Sequence, residues 1–149
     1  MSTAATRRLL PLVLAYLPVP VAGAVLSARW GVGASPAGGP RDMVLRGTAL
    51  TPPLFLPLAL VAAAAVARSD GPVGRSGAAV VSLVGAAFLA GSTANLPNDL
   101  AAARSAGTPG GLTKALAAVH LALGVTLLAH ALPRVLQDRL SGCPTGRSA

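Results

Sequence analysis

The sequence predicts an all-α, polytopic integral membrane protein, a bundle of four transmembrane helices, and three observations carry that prediction. Four stretches, Leu9–Ala28, Thr48–Ala67, Gly77–Leu96 and Leu112–Leu132, are nearly free of charge, with Lys114 the only charged residue inside any of them. Each is about 20 residues long, which at about 1.5 Å per residue matches roughly 30 Å of hydrocarbon. Finally, 53% of the 149 residues are hydrophobic and only 11% are charged, more apolar content than a soluble domain this small hides in one core.

The first span follows Arg7-Arg8, and its prolines Pro11 and Pro18 share a face with Ala15 and Ala22. In a bundle, neighbouring groups take up the carbonyls that prolines free. A cleavable signal peptide is the competing reading, with Ala22-Gly23-Ala24 as the small-residue site. The apolar run, however, is long for a signal and continues to Ala28, which favours an uncleaved span. Trp30 opens a long Gly-, Pro- and Ser-rich loop, Arg29–Gly47, where an indole sits at head-group level. Pro52, Pro53 and Pro57 bend or delay the second helix.

A tight polar turn, Arg68–Ser76, leads to the third span. There Ala78, Ser82, Gly85, Ala86, Ser92 and Thr93 gather on a bundle-facing side opposite Val80, Val84 and Phe88. Pro97 stops this helix and begins a third loop that ends in Thr108-Pro109-Gly110-Gly111. On the fourth span Thr113, Ala117, His120, Gly124 and Ala131 form an inward stripe, and His130 is placed to bond Thr126 one turn back. The tail runs from Pro133 to Ala149. One membrane domain, residues 1–149, accounts for the whole chain.

The net charge of +8 flanks the spans rather than forming a basic soluble face, so the predicted partner is lipid and not nucleic acid. Arg7, Arg8, Arg68, Arg75, Arg134, Arg139 and Arg147 lie on one side; Arg29, Arg41, Arg46, Arg104 and Lys114 lie on the other. That excess places both termini in the cytoplasm. Eleven arginines to one lysine, amid abundant Ala, Gly and Pro, suggest a GC-rich bacterial genome and hence a bacterial plasma membrane. Cys143 is the single cysteine, which excludes an intramolecular disulfide and gives no metal-binding spacing. His120 and His130 lie about 15 Å apart along one helix and cannot share an iron. Neither a cofactor nor a metal is predicted.

The densest polar group is Asn95-Leu96-Pro97-Asn98-Asp99. Asn and Asp are good turn and cap residues, so a purely structural role explains them. As a site, Asn95, Asn98 and Asp99 bind substrate in a shallow pocket and His120 is the catalytic residue, able to exchange a proton near neutral pH. His120 is expected roughly 10 Å deeper than Asn95, too far for direct contact, so a ligand of two or three rings bridges them.

Four short spans, a long first loop, Asn95, Pro97, Asn98 and Asp99 closing span three and His120 early in span four resemble the anthrone-oxygenase-like family of small membrane proteins. The chain departs from that family in a shorter Asn-Pro-Asn block and in lacking the Trp and Arg usual at the start of the fourth helix. The resemblance implies a cofactor-independent oxygenase of polycyclic aromatic substrates. In it His120 removes a proton from an activated ring carbon, and Asn95 and Asn98 hold the substrate oxygen.

Three function classes follow, and whether the chain is an enzyme stays open. An accessory or structural membrane protein, assembling as a homo-oligomer or with a membrane partner through its small-residue faces, explains the residues with fewest assumptions. The oxygenase is the alternative. A small transporter ranks last, because Asp42, Asp70, Asp99 and Asp138 all lie outside the spans and the chain has no Glu.

Overall fold

The computed structural model describes residues 4–35, 37 and 43–141, with backbone alone at 4–6 and 137–141. Among the described residues six helices follow in order: α1 (Ala4–Tyr16), α2 (Pro18–Trp30), α3 (Phe55–Val66), α4 (Gly71–Ala94), α5 (Leu96–Ser105) and α6 (Gly110–Ser141). Among the described residues there is no strand, only an isolated bridge between Thr48 and Thr51. Arg41, Cys143 and Arg147, and the side chain of Arg139, lie outside what is described.

Among the described residues, three stretches are long and apolar enough to cross a membrane: Arg7–Trp30, Gly71–Ala94 and Gly110–Leu136. The first joins α1 and α2 through Leu17, where Pro18 interrupts the ladder. Leu58, Leu83 and Val25 are 70%, 71% and 63% exposed, an aliphatic outer surface suited to hydrocarbon rather than water.

The expected second span takes a different form. Helix α3 has only 12 residues, about 18 Å, and Thr48–Leu54 is not helical. Pro52 and Pro53 lack N–H groups and disfavour helical backbone in the residues before them, so the helix starts late. The preceding turn closes on itself. Thr48 N–H donates to the Thr51 carbonyl at 2.7 Å and Thr51 N–H returns to the Thr48 carbonyl at 3.3 Å. It then docks on α2 and the residues just after it: Ala49 N–H donates to the Gly33 carbonyl at 3.1 Å, Thr51 Oγ1 donates to the Pro20 carbonyl at 3.1 Å, and Ser27 Oγ meets Thr48 Oγ1 at 2.5 Å.

A Cβ on Gly23 would strike the Leu50 carbonyl, so the turn fits because position 23 is glycine. Gly23 lies seven residues before Trp30, about 10 Å below the end of α2. Non-helical backbone at such depth needs partners inside the protein, and here it has them.

Other boundaries also shift. The polar turn before α4 shrinks because Gly71-Pro72 already belongs to the helix, with proline in the first turn where no N–H is required. Pro97 does not end a helix. The break falls at Asn95, and Pro97 occupies the first turn of α5, inside the expected third loop. Helix α6 passes through Pro133 to Ser141, so much of the expected tail is helical.

Helices α1, α3, α4 and α6 enclose the main core, which includes Leu9, Val13, Leu60, Val81, Leu123 and Leu127. A smaller cluster, Val32, Ala49, Leu50 and Ala102, joins the turn to α5 above it. The α4–α6 contact is the most extensive in the fold. There Gly85 and Gly124 face each other: a Cβ on Gly124 would lie 2.8 Å from the Gly85 carbonyl oxygen, and one on Gly85 would lie 3.1 Å from the Gly124 carbonyl oxygen.

Of the stripe expected on α4, Ala78, Ser82 and Gly85 are buried, whereas Ala86 and Thr93 are exposed. Val84 and Phe88, expected opposite, are buried too. Helix α4 is wedged between α3, at Gly77, and α6, at Gly85, so it buries a wider arc than one stripe. The stripe on α6 faces inward as expected, with Thr113, His120, Gly124 and Ala131 buried. His130 Nδ1 lies 2.8 Å from the Thr126 carbonyl oxygen, so its partner is backbone.

At the opposite end from the turn, the guanidinium of Arg134 donates to the carbonyls of Ala67 and Ser69. Arg7 lies beside Ser69 as well. The first and last long helices therefore meet the same face of the fold.

Candidate functional site

The docked turn roofs a cavity of about 290 Å³. Helix α4 supplies Phe88 and Ser92 to its wall, and Asn95 follows at the α4–α5 break. Asp99 comes from α5, His120 from α6, and Arg46, Thr48 and Thr51 come from the loop and turn. This brings Asn95, Asp99 and His120 onto one cavity despite their difference in depth. The break at Asn95 is what makes this geometry: α5 folds back over α6 and carries Asp99 inward. Asn98 is exposed and does not line the cavity.

His120 is 7% exposed. Its Nε2 is buried without a partner. Tyr16 from α1 meets His120 edge-on, with centroids 5.8 Å apart and planes at 81°. Phe88 completes the group, 5.8 Å from His120 and 6.0 Å from Tyr16. The hydroxyl of Tyr16 is likewise buried and unpartnered. Aromatic packing from two helices holds the imidazole against the cavity while leaving Nε2 unused.

Burial pushes the Asp99 carboxyl up to about 6. The folded protein therefore holds a proton here that the unfolded chain, with a carboxyl near an ordinary value of about 3.9, has already lost. Stability is expected to fall as pH rises from about 4 to 6 and to level off above. Asp99→Asn should flatten that slope when thermal transitions in detergent are compared at the two ends of the range. An unchanged slope would mean that another group titrates.

Reading the sequence missed Tyr16, Arg46, Thr48 and Thr51, and it placed Phe88 on the wrong face. Tyr16 did carry a signal, being the only tyrosine in the chain and set within an apolar span. The threonines gave none, because only the tertiary fold seats their turn on α2. No group of three or more His, Cys, Asp or Glu side chains forms among the described residues.

In chemical terms, the site offers a recess of mixed polarity, with Leu50, Leu56 and Phe88 beside His120 and with amide, carboxyl, hydroxyl and guanidinium groups in its lining. Comparison with protein-family models, curated proteins and solved structures finds no match to this chain.

Proposed function

We propose that this chain is a four-crossing protein of a bacterial plasma membrane, with cytoplasmic termini, that binds a small amphipathic aromatic molecule beneath the Thr48–Leu54 turn. Helix α3 and the turn together make the second crossing. The observation that carries the reading is His120 on the wall of the cavity with an Nε2 that is buried and has no partner. A buried polar atom without a partner costs about 1–3 kcal/mol, a cost that a ligand hydroxyl would remove. The cavity volume is near the lower end of the ~300–1,000 Å³ usual for ligand sites, which suits a compact ring system.

The accessory role rested on small-residue faces available to a partner. On α4, Gly77 packs against α3 and Gly85 against α6 of the same chain, which favours the ligand site over assembly, although Ala86 and Thr93 stay exposed.

A reaction consistent with this site is the cofactor-independent oxygenation implied by the family resemblance. His120 Nε2 takes a proton from an activated ring CH₂, and the carbanion gives its electrons to dioxygen. Reprotonation yields a hydroperoxide, and loss of water leaves a ring ketone. Asn95 would hold the substrate oxygen. An unpartnered Nε2 favours this reading, because a base needs a free lone pair.

Two measurements test the proposal. Binding of hydroxylated tricyclic aromatics to purified protein should weaken about tenfold or more in His120→Ala, the equivalent of about 1.4 kcal/mol. Oxygen uptake by membranes supplied with anthrones should vanish in the same variant. Unchanged binding would remove His120 from the site. Retained binding specificity without uptake in wild type would leave a binding protein and reject the oxygenase.

A further inference from the structure

We infer that the end of the fold opposite the cavity carries a second site, for a negatively charged phosphoryl group. A hollow of about 490 Å³ is lined by Arg7 of α1, by Ala65 of α3 and by Arg68 and Ser69 just beyond it. Two guanidinium groups 61 positions apart in sequence thus converge on one recess between helices. Neither has an ion-pair partner among the described residues, and Asp70, the next residue, is engaged within the fold.

The adjacent end of α3 would ordinarily repel an anion, because helix C-termini present unpaired carbonyls. Arg134 changes this. It is 8% exposed and its guanidinium occupies the Ala67 and Ser69 carbonyls, so the negative end of α3 is already neutralised from inside. Arg7 and Arg68 remain available to an external ligand. Paired arginines match the oxygens of a phosphoryl group with several donors at once.

Position supports an interfacial ligand. Arg7 begins the first apolar stretch, while Leu14 and Val66 leave aliphatic surface exposed on the two helices that form the hollow. A phosphoryl group seated between the arginines would leave acyl chains against that surface. The same chemistry accepts free phosphate, so the test separates the two sources.

Purified protein is equilibrated with equal amounts of phosphatidylglycerol and phosphatidylcholine, and retained lipid is read by native mass spectrometry. Wild type should retain the anionic lipid about tenfold or more over the zwitterionic one, because each arginine near a head group adds attraction for an anionic lipid. The double variant Arg7→Ala/Arg68→Ala should lose that preference. Arg29→Ala/Arg104→Ala, which removes the same charge at the opposite end, should keep it.

Displacement of the retained lipid by millimolar inorganic phosphate would identify a site that accepts either source, and resistance would identify a lipid site. Equal preference in wild type and the Arg7/Arg68 variant, with both showing the same thermal transition, would overturn the inference. So would the absence of preference in wild type.

Discussion

Gly124→Leu is expected to break the α4–α6 pairing and with it the fold. The backbones cross so closely that a Cβ on Gly124 would stand 2.8 Å from the Gly85 carbonyl oxygen, with Leu89 side-chain atoms at 3.0 and 3.2 Å. Backbone cannot rotate aside as a side chain can, so relief requires the helices to separate along their most extensive contact. Overpacking of this kind costs about 3 kcal/mol or more when the obstacle is main chain. In a membrane this loss is not offset by hydrophobic reassociation, because lipid tails are as apolar as the helix faces.

The expected order of damage is Gly124→Leu, then Gly124→Ala, then Gly85→Ala, whose Cβ meets the Gly124 carbonyl oxygen at a more tolerable 3.1 Å. Leu83→Ala, at a position 71% exposed, should change little. Titration from mild detergent into dodecyl sulfate, followed by circular dichroism and by accessibility of an introduced thiol at the contact, reads the series. If Gly124→Leu proved as stable as wild type, the close crossing would be refuted. Dissociation of an oligomer with each chain still folded would instead place the glycine face between subunits, as an accessory role would require.

Arg134→Ala should be nearly as damaging for the opposite reason, loss of a buried polar contact. The guanidinium donates to the Ala67 carbonyl and, at 2.6 Å, to the Ser69 carbonyl. These carbonyls end α3, a helix of only 12 residues that has few ladder bonds to lose. Hydrogen bonds from a charged donor contribute about 1.5–3 kcal/mol each, and the carbonyls left behind are poorly hydrated, so a combined loss of about 3 kcal/mol is expected.

Arg134→Lys should recover only part of this, since an ammonium lacks the planar fork that reaches two carbonyls together. Gly74 makes the room: a Cβ there would collide with the guanidinium and with the Ser69 carbonyl. Gly74→Ala and Arg134→Ala should therefore be strongly non-additive in a double-mutant cycle. Additive effects would show that the glycine and the arginine act separately.

How far the sequence reveals the candidate site can be judged from three of its residues. His120 was legible because a polar side chain on the small-residue stripe of a span must face protein rather than lipid, and it does. Asn95 was legible as polar but not as a hinge. Pro97 suggested a helix end, whereas proline is equally suited to a first turn, and only the packing of α5 on α6 selects the second role. Asn98 shared every compositional argument with Asn95 yet faces outward, because on α5 it stands one residue, a rotation of about 100°, from Asp99, which lines the cavity.

The sequence by itself determined the all-helical class, the three long apolar stretches and the inward direction of His120. Each depends on local chemistry: hydropathy summed over about 20 residues, and side-chain period along one helix. The prolines already announced a delayed second helix, and tertiary structure alone decided that Thr48–Leu54 folds as a turn seated on α2. The proline-rich turn is stable because α2 presents a glycine and a carbonyl where Leu50 and Thr51 arrive. It also decided that Arg134 is a buried cap, not a flanking charge, and that Tyr16 and Phe88 frame the histidine. Partners brought together from distant positions leave no periodic trace in either segment, so the cavity exists only once the helices are packed.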